Sequence, residues 1–198
     1  MAIKKLAFMA SGSGTNFENI VREIHSGRLQ AQASVLLCDK PGAGVLDRAR
    51  RLGVPAALID RKDFASKAEF EDALTKRIES AEADFIVLAG YMRILSADFV
   101  RRFWGRILNI HPSLLPAFPG AHGIRDAYEA GAAVTGVTVH FVDTGVDTGP
   151  IILQQSVPRL PEDTLETLET RVHAAEYELY PRALQLLAAG QVRIPPRA

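Results

Sequence analysis

The sequence predicts an α/β protein: a doubly wound, mostly parallel sheet with an antiparallel C-terminal extension and a long C-terminal helix. The first observation is that short apolar runs alternate with helical patterns up to residue 110, the order that right-handed crossovers between parallel strands require. The second is that the run 85–89 is apolar throughout, which is typical of a central parallel strand. The third is a pair of β-rich runs after residue 130, followed by one long helical pattern.

In the first part of the chain, start and stop signals accompany the helical patterns. The helix 17–26 carries its apolar residues at helical spacing, and Gly27 ends it. The helix 66–80 begins with Ser66 as N-cap and has Glu69 three residues later, a capping-box pattern. The predicted strands are 3–10, 34–38, 56–59, 85–89 and 107–110, and the predicted helices are 17–26, 44–52, 66–80 and 96–103.

The second part reads differently. A short helix is predicted over 123–130, and the β-rich runs 135–142 and 151–157 predict a hairpin-like extension of the sheet with a long loop. A long helix begins at Asp163 or Thr164 and runs to about Ala188, with Pro181 kinking or dividing it. The sequence shows no internal repeat and no linker, so we expect residues 1–198 to form a single domain.

Composition excludes several classes of partner. The 23 basic residues balance the 23 acidic ones, and no basic block suggests nucleic acid or an anionic membrane as a partner. No apolar run is long enough to span a bilayer, and the apolar run after Lys5 is too short for a secretory signal. The single cysteine, Cys38, follows an apolar run and is predicted to be a buried free thiol rather than a nucleophile. These features favour a reducing, cytoplasmic location.

The most informative stretch is the apolar run 107–110, which prolines follow at 112 and 116. Side chains alternate across a strand, so Asn109 and His111 point to the same side, and Pro112 keeps the backbone of His111 extended. An amide and an imidazole thus leave the carboxyl end of a core strand together, where open α/β sheets bind ligands. Taken singly, either residue would suit a purely structural role.

The loop 11–16 lies between the first predicted strand and the first helix. Its small residues let the backbone approach a ligand, and the helix start offers free N–H groups to an anion. The loop has Gly12 and Gly14, but Phe17 stands where a dinucleotide fingerprint needs its third glycine. This favours a phosphate site over a dinucleotide site, and a tight turn without a ligand stays the alternative.

A third candidate element is the loop between the two β-rich runs. Asp147 lies between Gly145 and Gly149, and its simplest role is to order its own turn. If the loop folds over the strand end, Asp147 reaches His111 and holds the imidazole in its charged form. Asp143 directly follows a strand and is interpreted as a turn residue.

Two further histidines are harder to interpret. His140 lies in the middle of a β-rich run, so packing in the core or at an edge is favoured over catalysis. His122 lies in the loop after Gly120 and could line a cleft.

Together these motifs resemble the phosphoribosylglycinamide formyltransferase family of folate-dependent formyltransferases. The resemblance covers residues 3 to about 194. It is carried by SGSGTN at 11–16, LAGYMRIL at 88–95, LNIHPSLLP at 108–116, VHFV at 139–142 and DTGP at 147–150. The block at 109–116 is shared by the wider formyltransferase group, whereas the glycine loop narrows the resemblance to this member.

The resemblance implies a role for each motif. Residues 1–105 would bind the ribonucleotide phosphate, and residues 106–198 would carry catalysis and much of the folate site. Lys67 stands where the family often has an arginine. The lysine keeps the positive charge but lacks the planar guanidinium group, which can donate two hydrogen bonds side by side. The implied catalytic residues are Asn109, His111 and Asp147; the ribonucleotide-binding residues are Gly12, Ser13, Gly14, Thr15, Asn16 and Glu176; and the folate-binding residues are Lys67, Met92, Arg93, Ile94, Leu95, Asn109, Asp143 and Asp147.

The implied reaction transfers the formyl group of 10-formyltetrahydrofolate to the amine of glycinamide ribonucleotide in purine synthesis, with the folate as co-substrate and no metal. Asn109 and protonated His111 would stabilise the oxyanion, and Asp147 would keep His111 charged and relay a proton. The partners would be small molecules, and the chain a monomer or homodimer. The alternatives are formyltetrahydrofolate hydrolysis, methionyl-tRNA formylation, and a nucleotide-binding module or dinucleotide oxidoreductase built on the glycine loop.

Overall fold

A single seven-stranded sheet organises the chain. The computed structural model describes residues 3–196. The strand order is β3-β2-β1-β4-β5-β6-β7, in which the pairs from β3 to β5 are parallel and the last two pairs are antiparallel. The strands are β1 (Lys4–Ala10), β2 (Ala31–Cys38), β3 (Ala56–Leu58), β4 (Phe85–Leu88), β5 (Ile107–His111), β6 (Val134–Phe141) and β7 (Ile151–Pro158). The predicted fold class is confirmed.

Helices cover both faces of this sheet. They are α1 (Thr15–His25), α2 (Gly44–Arg51), α3 (Lys67–Ser80), α4 (Ala97–Arg102), α5 (Gly123–Glu129) and α6 (Leu165–Ala188). Alternation along β1 shows how two cores arise: Leu6 and Phe8 pack with α1 and α6, whereas Ala7 and Met9 pack with α3 and α4. Both faces of the central strands are therefore buried, which explains their continuous apolar runs.

The strand order places a crevice at the carboxyl ends of β1 and β4. The chain winds from β1 outward to β2 and β3, then returns to the other side of β1 to form β4 and β5. The loops after β1 and β4 therefore diverge at a topological switch point, where open α/β sheets bind ligands. The loop 11–14 and the loop 89–96 lie here, beside the end of β5.

Several element boundaries differ from the prediction. β2 begins at Ala31 rather than at residue 34, because pairing with β1 extends it through polar and small residues that carry no apolar signal. β5 includes His111, which pairs with Thr138 of β6. A short 3-10 helix, Arg61–Asp63, had no sequence signal, although the side chain of Asp60 accepts a bond from the Lys62 N–H at its start.

The C-terminal helix α6 is continuous through Pro181, so the proline does not divide it. A proline at this position cannot donate to the carbonyl four residues earlier, which belongs to Tyr177. The side-chain amide of Asn19, on α1, donates to that carbonyl at 2.7 Å. The neighbouring helix thus replaces the missing bond. Within residues 3–196, no helix has both the length and the apolar character needed to cross a membrane.

We expect Asn19→Ala to lower the free energy of unfolding by about 1–2 kcal/mol, because the Tyr177 carbonyl would lose its partner in a half-buried site. Urea unfolding of the variant measures this loss. Pro181→Ala supplies the matched background, since it restores an N–H for the same carbonyl. In that background the Asn19→Ala loss should shrink, and an unchanged loss would contradict the assignment.

Candidate functional site

Strands β5 and β6 present a patch of polar side chains at the edge of the crevice. Asn109 and His111 lie on the same face of β5, and His140 and Thr138 lie directly opposite them on β6. His111 is 4% exposed and His140 is 1% exposed, so both imidazoles are buried. Buried polar groups need partners, and the loop after β6 supplies one.

That loop brings Asp147 to the patch. Its Oδ2 lies 3.4 Å from Nδ1 of His111, while its Oδ1 lies 3.5 Å from Nδ2 of Asn109 and 3.6 Å from Nε2 of His140. The predicted convergence of a distant carboxylate on the amide–imidazole pair is thus present in the structure. The catalytic roles of these residues stay predictions.

The backbone holds this carboxylate in place. Asp147 has a φ of 54°, in the left-handed region that aspartate tolerates better than most residues. The N–H of Gly120 donates to its Oδ2 at 2.8 Å. Burial raises the pKa of Asp147, but the bond from His140, the Gly120 N–H and the charge of His111 together outweigh burial and lower it. The carboxylate is therefore ionised throughout the neutral range.

The two ring nitrogens of His111 have different surroundings. Nε2 lies 2.8 Å from the carbonyl oxygen of Phe118, so Nε2 carries a proton and donates it. Nδ1 faces Asp147 at a longer distance and makes no closer contact within residues 3–196. Both ring nitrogens of His111 thus face oxygen atoms that can accept a hydrogen bond.

His140 is the site residue that sequence reasoning missed. It is buried, as expected of a packing residue, but its Nε2 lies 3.3 Å from Nδ2 of Asn109 as well as near Asp147. Its Nδ1 donates to the carbonyl of Phe141 at 2.8 Å. No signal near position 140 reveals this, because the contact depends on the antiparallel register between β5 and β6.

A cavity of about 140 Å³ opens beside Asn109 and Asp147. Its wall includes apolar side chains of β4 and α4 on one side and the loop 142–147 on the other. Besides Asn109 and Asp147, the resemblance implies six folate-binding residues, which are Lys67, Met92, Arg93, Ile94, Leu95 and Asp143. Of the whole predicted set, Arg93, Ile94, Leu95, Asn109, Asp143 and Asp147 line this cavity. Apolar side chains and several polar groups line this cavity together, as in many sites for small molecules.

A second cavity shares Tyr91, Arg93 and Ile94 with the first. Lys67 and Met92, the remaining predicted folate-binding residues, line it, and Met92 is 75% exposed. Arg93 forms an ion pair with the buried Asp39 and lies 5.8 Å from the ring centre of Phe70. The residues that line the two cavities come from both sides of residue 105, the predicted boundary between the phosphate-binding half and the catalytic half.

The glycine loop leaves backbone N–H groups at the start of α1 without partners among the described residues. Within residues 3–196, the backbone N–H groups of residues 13–17 make no hydrogen bond, as expected at a helix N-terminus. Gly14 has a φ of 78°, and a Cβ added there would lie 2.3 Å from Cγ2 of Val45. The Ser13 carbonyl accepts a bond from Arg48 at 2.8 Å, which fixes the loop, and the charge of Arg48 is paired with Glu18.

Glu176 connects α6 to this loop. It is 5% exposed, and its Oε2 accepts a bond from Nδ2 of Asn16 and contacts Nδ1 of His173, each at 3.0 Å. The hydrogen bond to Glu176 raises the pKa of His173 above its usual value. His173, for which the sequence carried no signal, thus lies beside the carboxylate that contacts Asn16 of the glycine loop.

The other singled-out residues have structural surroundings. Asp143 Oδ1 accepts bonds from the Gly145 N–H and the Thr148 hydroxyl, so it orders its turn as well as lining the cavity. Cys38 is a buried free thiol, as predicted, and burial raises its pKa. His122 is exposed at the residue before α5. In the described part of the chain, no cluster of three His, Cys, Asp or Glu side chains could hold a metal ion.

The comparison with known families agrees with this geometry. The formyl transferase family model matches residues 4–184. The chain belongs to the formyl transferase family. The matched residues include the glycine loop, the polar patch on β5 and β6, and the loop that carries Asp147.

Curated members of the formyl transferase family include close relatives. Phosphoribosylglycinamide formyltransferase of Bacillus subtilis is 44% identical over 185 residues, covering 93% of this chain and 95% of that protein. The trifunctional purine biosynthetic protein adenosine-3 of Drosophila pseudoobscura is 47% identical over 192 residues, which are 96% of this chain but 14% of that protein. This chain therefore spans a small part of the trifunctional relative and nearly the whole of the bacterial one.

A solved structure of the family has the same fold. Glycinamide ribonucleotide transformylase 1 from Geobacillus kaustophilus superposes with a TM-score of 0.92 at 50% identity, covering 94% of this chain and 100% of that chain.

We expect Gly14→Ala to weaken the binding of a phosphate-bearing ligand by at least about 10-fold, because the new methyl group collides with Val45 and the left-handed backbone strains. Titration with inorganic phosphate or a ribose phosphate measures the loss. Gly27→Ala is the matched control: Gly27 has a φ of 76° just after the C-terminal end of the same helix, and a Cβ there meets nothing within 4 Å. Equal phosphate affinity in the two variants would contradict the anion site.

Proposed function

We propose that this chain transfers the formyl group of 10-formyltetrahydrofolate directly to the primary amine of glycinamide ribonucleotide, a step of purine synthesis. The observation that carries the proposal is the convergence of Asn109, His111 and Asp147 between an apolar cavity and an anion site. The names of the relatives support the choice of substrates. The proposal includes a cytoplasmic location and a single domain, with the phosphate bound by residues 1–105.

The amine attacks the formyl carbon, and the carbonyl oxygen becomes an oxyanion. Asn109 Nδ2 and His111 Nδ1 are the donors that face the space beside Asp147. Their present contacts, at 3.3–3.5 Å, are long, so both groups can turn to a better acceptor when the oxyanion forms. A preorganised donor of this kind contributes about 2.7–4 kcal/mol to transition-state stabilisation.

Asp147 has two tasks in this reaction. Its negative charge keeps His111 in the imidazolium form, so that Nδ1 has a proton to share with the oxyanion. Through a water molecule, it also accepts the proton that the attacking nitrogen loses, and that proton passes on to the folate nitrogen as the carbon–nitrogen bond breaks. No protein nucleophile takes part, in agreement with the buried position of Cys38.

The loops after β1 and β4 place the two substrates against each other. The folate heterocycle occupies the cavity between α4 and the loop 142–147, and the ribonucleotide phosphate binds the free N–H groups of residues 13–17. The two sites are fixed relative to one another by Ser11, whose N–H donates to the Gly90 carbonyl and whose hydroxyl accepts from the Met92 N–H. Such positioning replaces a bimolecular encounter with a near-unimolecular step.

The direct test is a spectroscopic assay for deformylated folate. Adding glycinamide ribonucleotide to enzyme and 10-formyltetrahydrofolate should start product release, whereas omitting the ribonucleotide should leave the folate intact. Release that does not depend on the ribonucleotide would instead identify a formyltetrahydrofolate hydrolase, which the same three residues could serve with water as acceptor.

Asp147→Asn should lower kcat by about 10²–10⁴-fold without unfolding the protein, because the amide keeps the shape and the left-handed backbone but loses the charge. The pKa of Asp147 lies below its usual value, so the loss should be constant between about pH 5 and pH 8. Asn109→Ala and His111→Ala should each cost about 10²–10³-fold. Asp98→Asn, at a carboxylate that is 93% exposed, is the control. A wild-type rate in Asp147→Asn would reject the proton relay.

A further inference from the structure

The orientation of the His111 ring depends on a backbone carbonyl. Its Nε2 donates to Phe118 O at 2.8 Å, and Phe118 has a φ of 52°, in the left-handed region. A phenylalanine adopts this conformation only where its surroundings impose it. The segment 112–118, which we call the His111 loop, must therefore be held by other contacts.

Thr138 is the centre of those contacts. Its side chain is fully buried, and its hydroxyl donates to the Ser113 carbonyl at 2.7 Å while accepting from the Leu115 N–H at 3.1 Å. Nε2 of Gln154, on β7, donates to the same hydroxyl and to the Leu115 carbonyl, each at 2.9 Å. The hydroxyl thus has its one proton and both lone pairs in use.

The network continues along the loop to Phe118. Ser113, which is fully buried, donates from its hydroxyl to the Ala117 carbonyl at 2.5 Å, and the Ala117 N–H donates to the Leu114 carbonyl at 3.0 Å. These bonds close the turn that leads directly into Phe118. Thr138 also lies opposite His111 in the sheet. The pairing of β5 with β6 therefore positions both the His111 ring and the hydroxyl that holds the His111 loop.

The other side of the bond is closed by Gly123, the first residue of α5. A Cβ at this position would lie 2.9 Å from His111 Nε2 and 3.1 Å from Phe118 O. Only a glycine leaves this space open. The donor and the acceptor are therefore enclosed between a buried hydroxyl network and a helix start.

We propose that Thr138 is a positioning residue for the transfer reaction: through the His111 loop it holds the Phe118 carbonyl on Nε2 and so keeps Nδ1 directed at the reacting carbonyl. The inference rests on the function proposed above. Gly123 protects the same bond by its lack of a side chain. Neither Thr138 nor Gly123 touches the substrates; both act through the His111 ring, which does.

The test is Thr138→Val, which keeps the shape of the side chain and removes the hydroxyl. We expect kcat to fall by about 10- to 100-fold, while KM for both substrates stays within about 3-fold of wild type. Thr138→Ser, which restores the hydroxyl, should recover most of the lost rate. Thr135→Val is the matched control, because Thr135 is buried on the same strand and its hydroxyl has no partner within residues 3–196.

A second measurement does not depend on catalysis. In proton NMR of the wild type, the Nε2 proton of His111 should give a downfield resonance that exchanges slowly with water, identified by its absence in His111→Gln. Thr138→Val and Gly123→Ala should each make this exchange at least about 10-fold faster, whereas Thr135→Val should not.

Wild-type kcat and unchanged exchange in Thr138→Val would overturn the inference, as would an equal loss in Thr135→Val. If Thr138→Val fails to fold, Gly123→Ala tests the same bond from the opposite side, with the same two readouts. If the wild type produces no deformylated folate with the ribonucleotide, the proposed function fails, while the exchange measurement still decides whether Thr138 holds the ring.

Discussion

The arrangement of this site depends on one carboxylate. Asp147 accepts from a backbone N–H of the loop 118–120 and stands within 3.6 Å of side-chain nitrogens on β5 and β6. Asp147 thereby links the polar side chains of β5 and β6 to the loop that contains Gly120. In the proposed reaction the same carboxylate also relays a proton. Structural and chemical requirements coincide at this residue, so its left-handed backbone is tolerated.

The sheet topology explains why such a carboxylate can be recruited from a distant part of the chain. β4 ends at the level of Asn109, and β5 continues for two more residues to His111. β6 is antiparallel, so its C-terminal end lies beside the start of β5, and the following loop crosses the face that carries the polar patch. The loop of the antiparallel extension thus forms one wall of the cavity.

Local sequence signals were sufficient to predict the features that depend only on residues close together in the chain. Strand periodicity placed Asn109 and His111 on one side, and small residues between a strand and a helix marked the glycine loop. His140 could not be found in this way, because its contact with Asn109 is set by pairing between residues 31 positions apart. The sequence left open whether Pro181 kinks or divides α6, since the compensating amide of Asn19 comes from another helix. What was missed was non-local: register, and hydrogen bonds between elements.

Charge also gives the proposed ribonucleotide site a direction. Glu176 is a buried carboxylate close to Asn16, and it repels a dianionic phosphate, whereas the free N–H groups of residues 13–17 attract one. Ribose hydroxyls, in contrast, donate well to a carboxylate. His173 neutralises part of the Glu176 charge when it is protonated, and its raised pKa extends that state toward neutral pH. We therefore expect the proposed ribonucleotide to bind with its phosphate at the helix start and its sugar beside Glu176, in a single orientation.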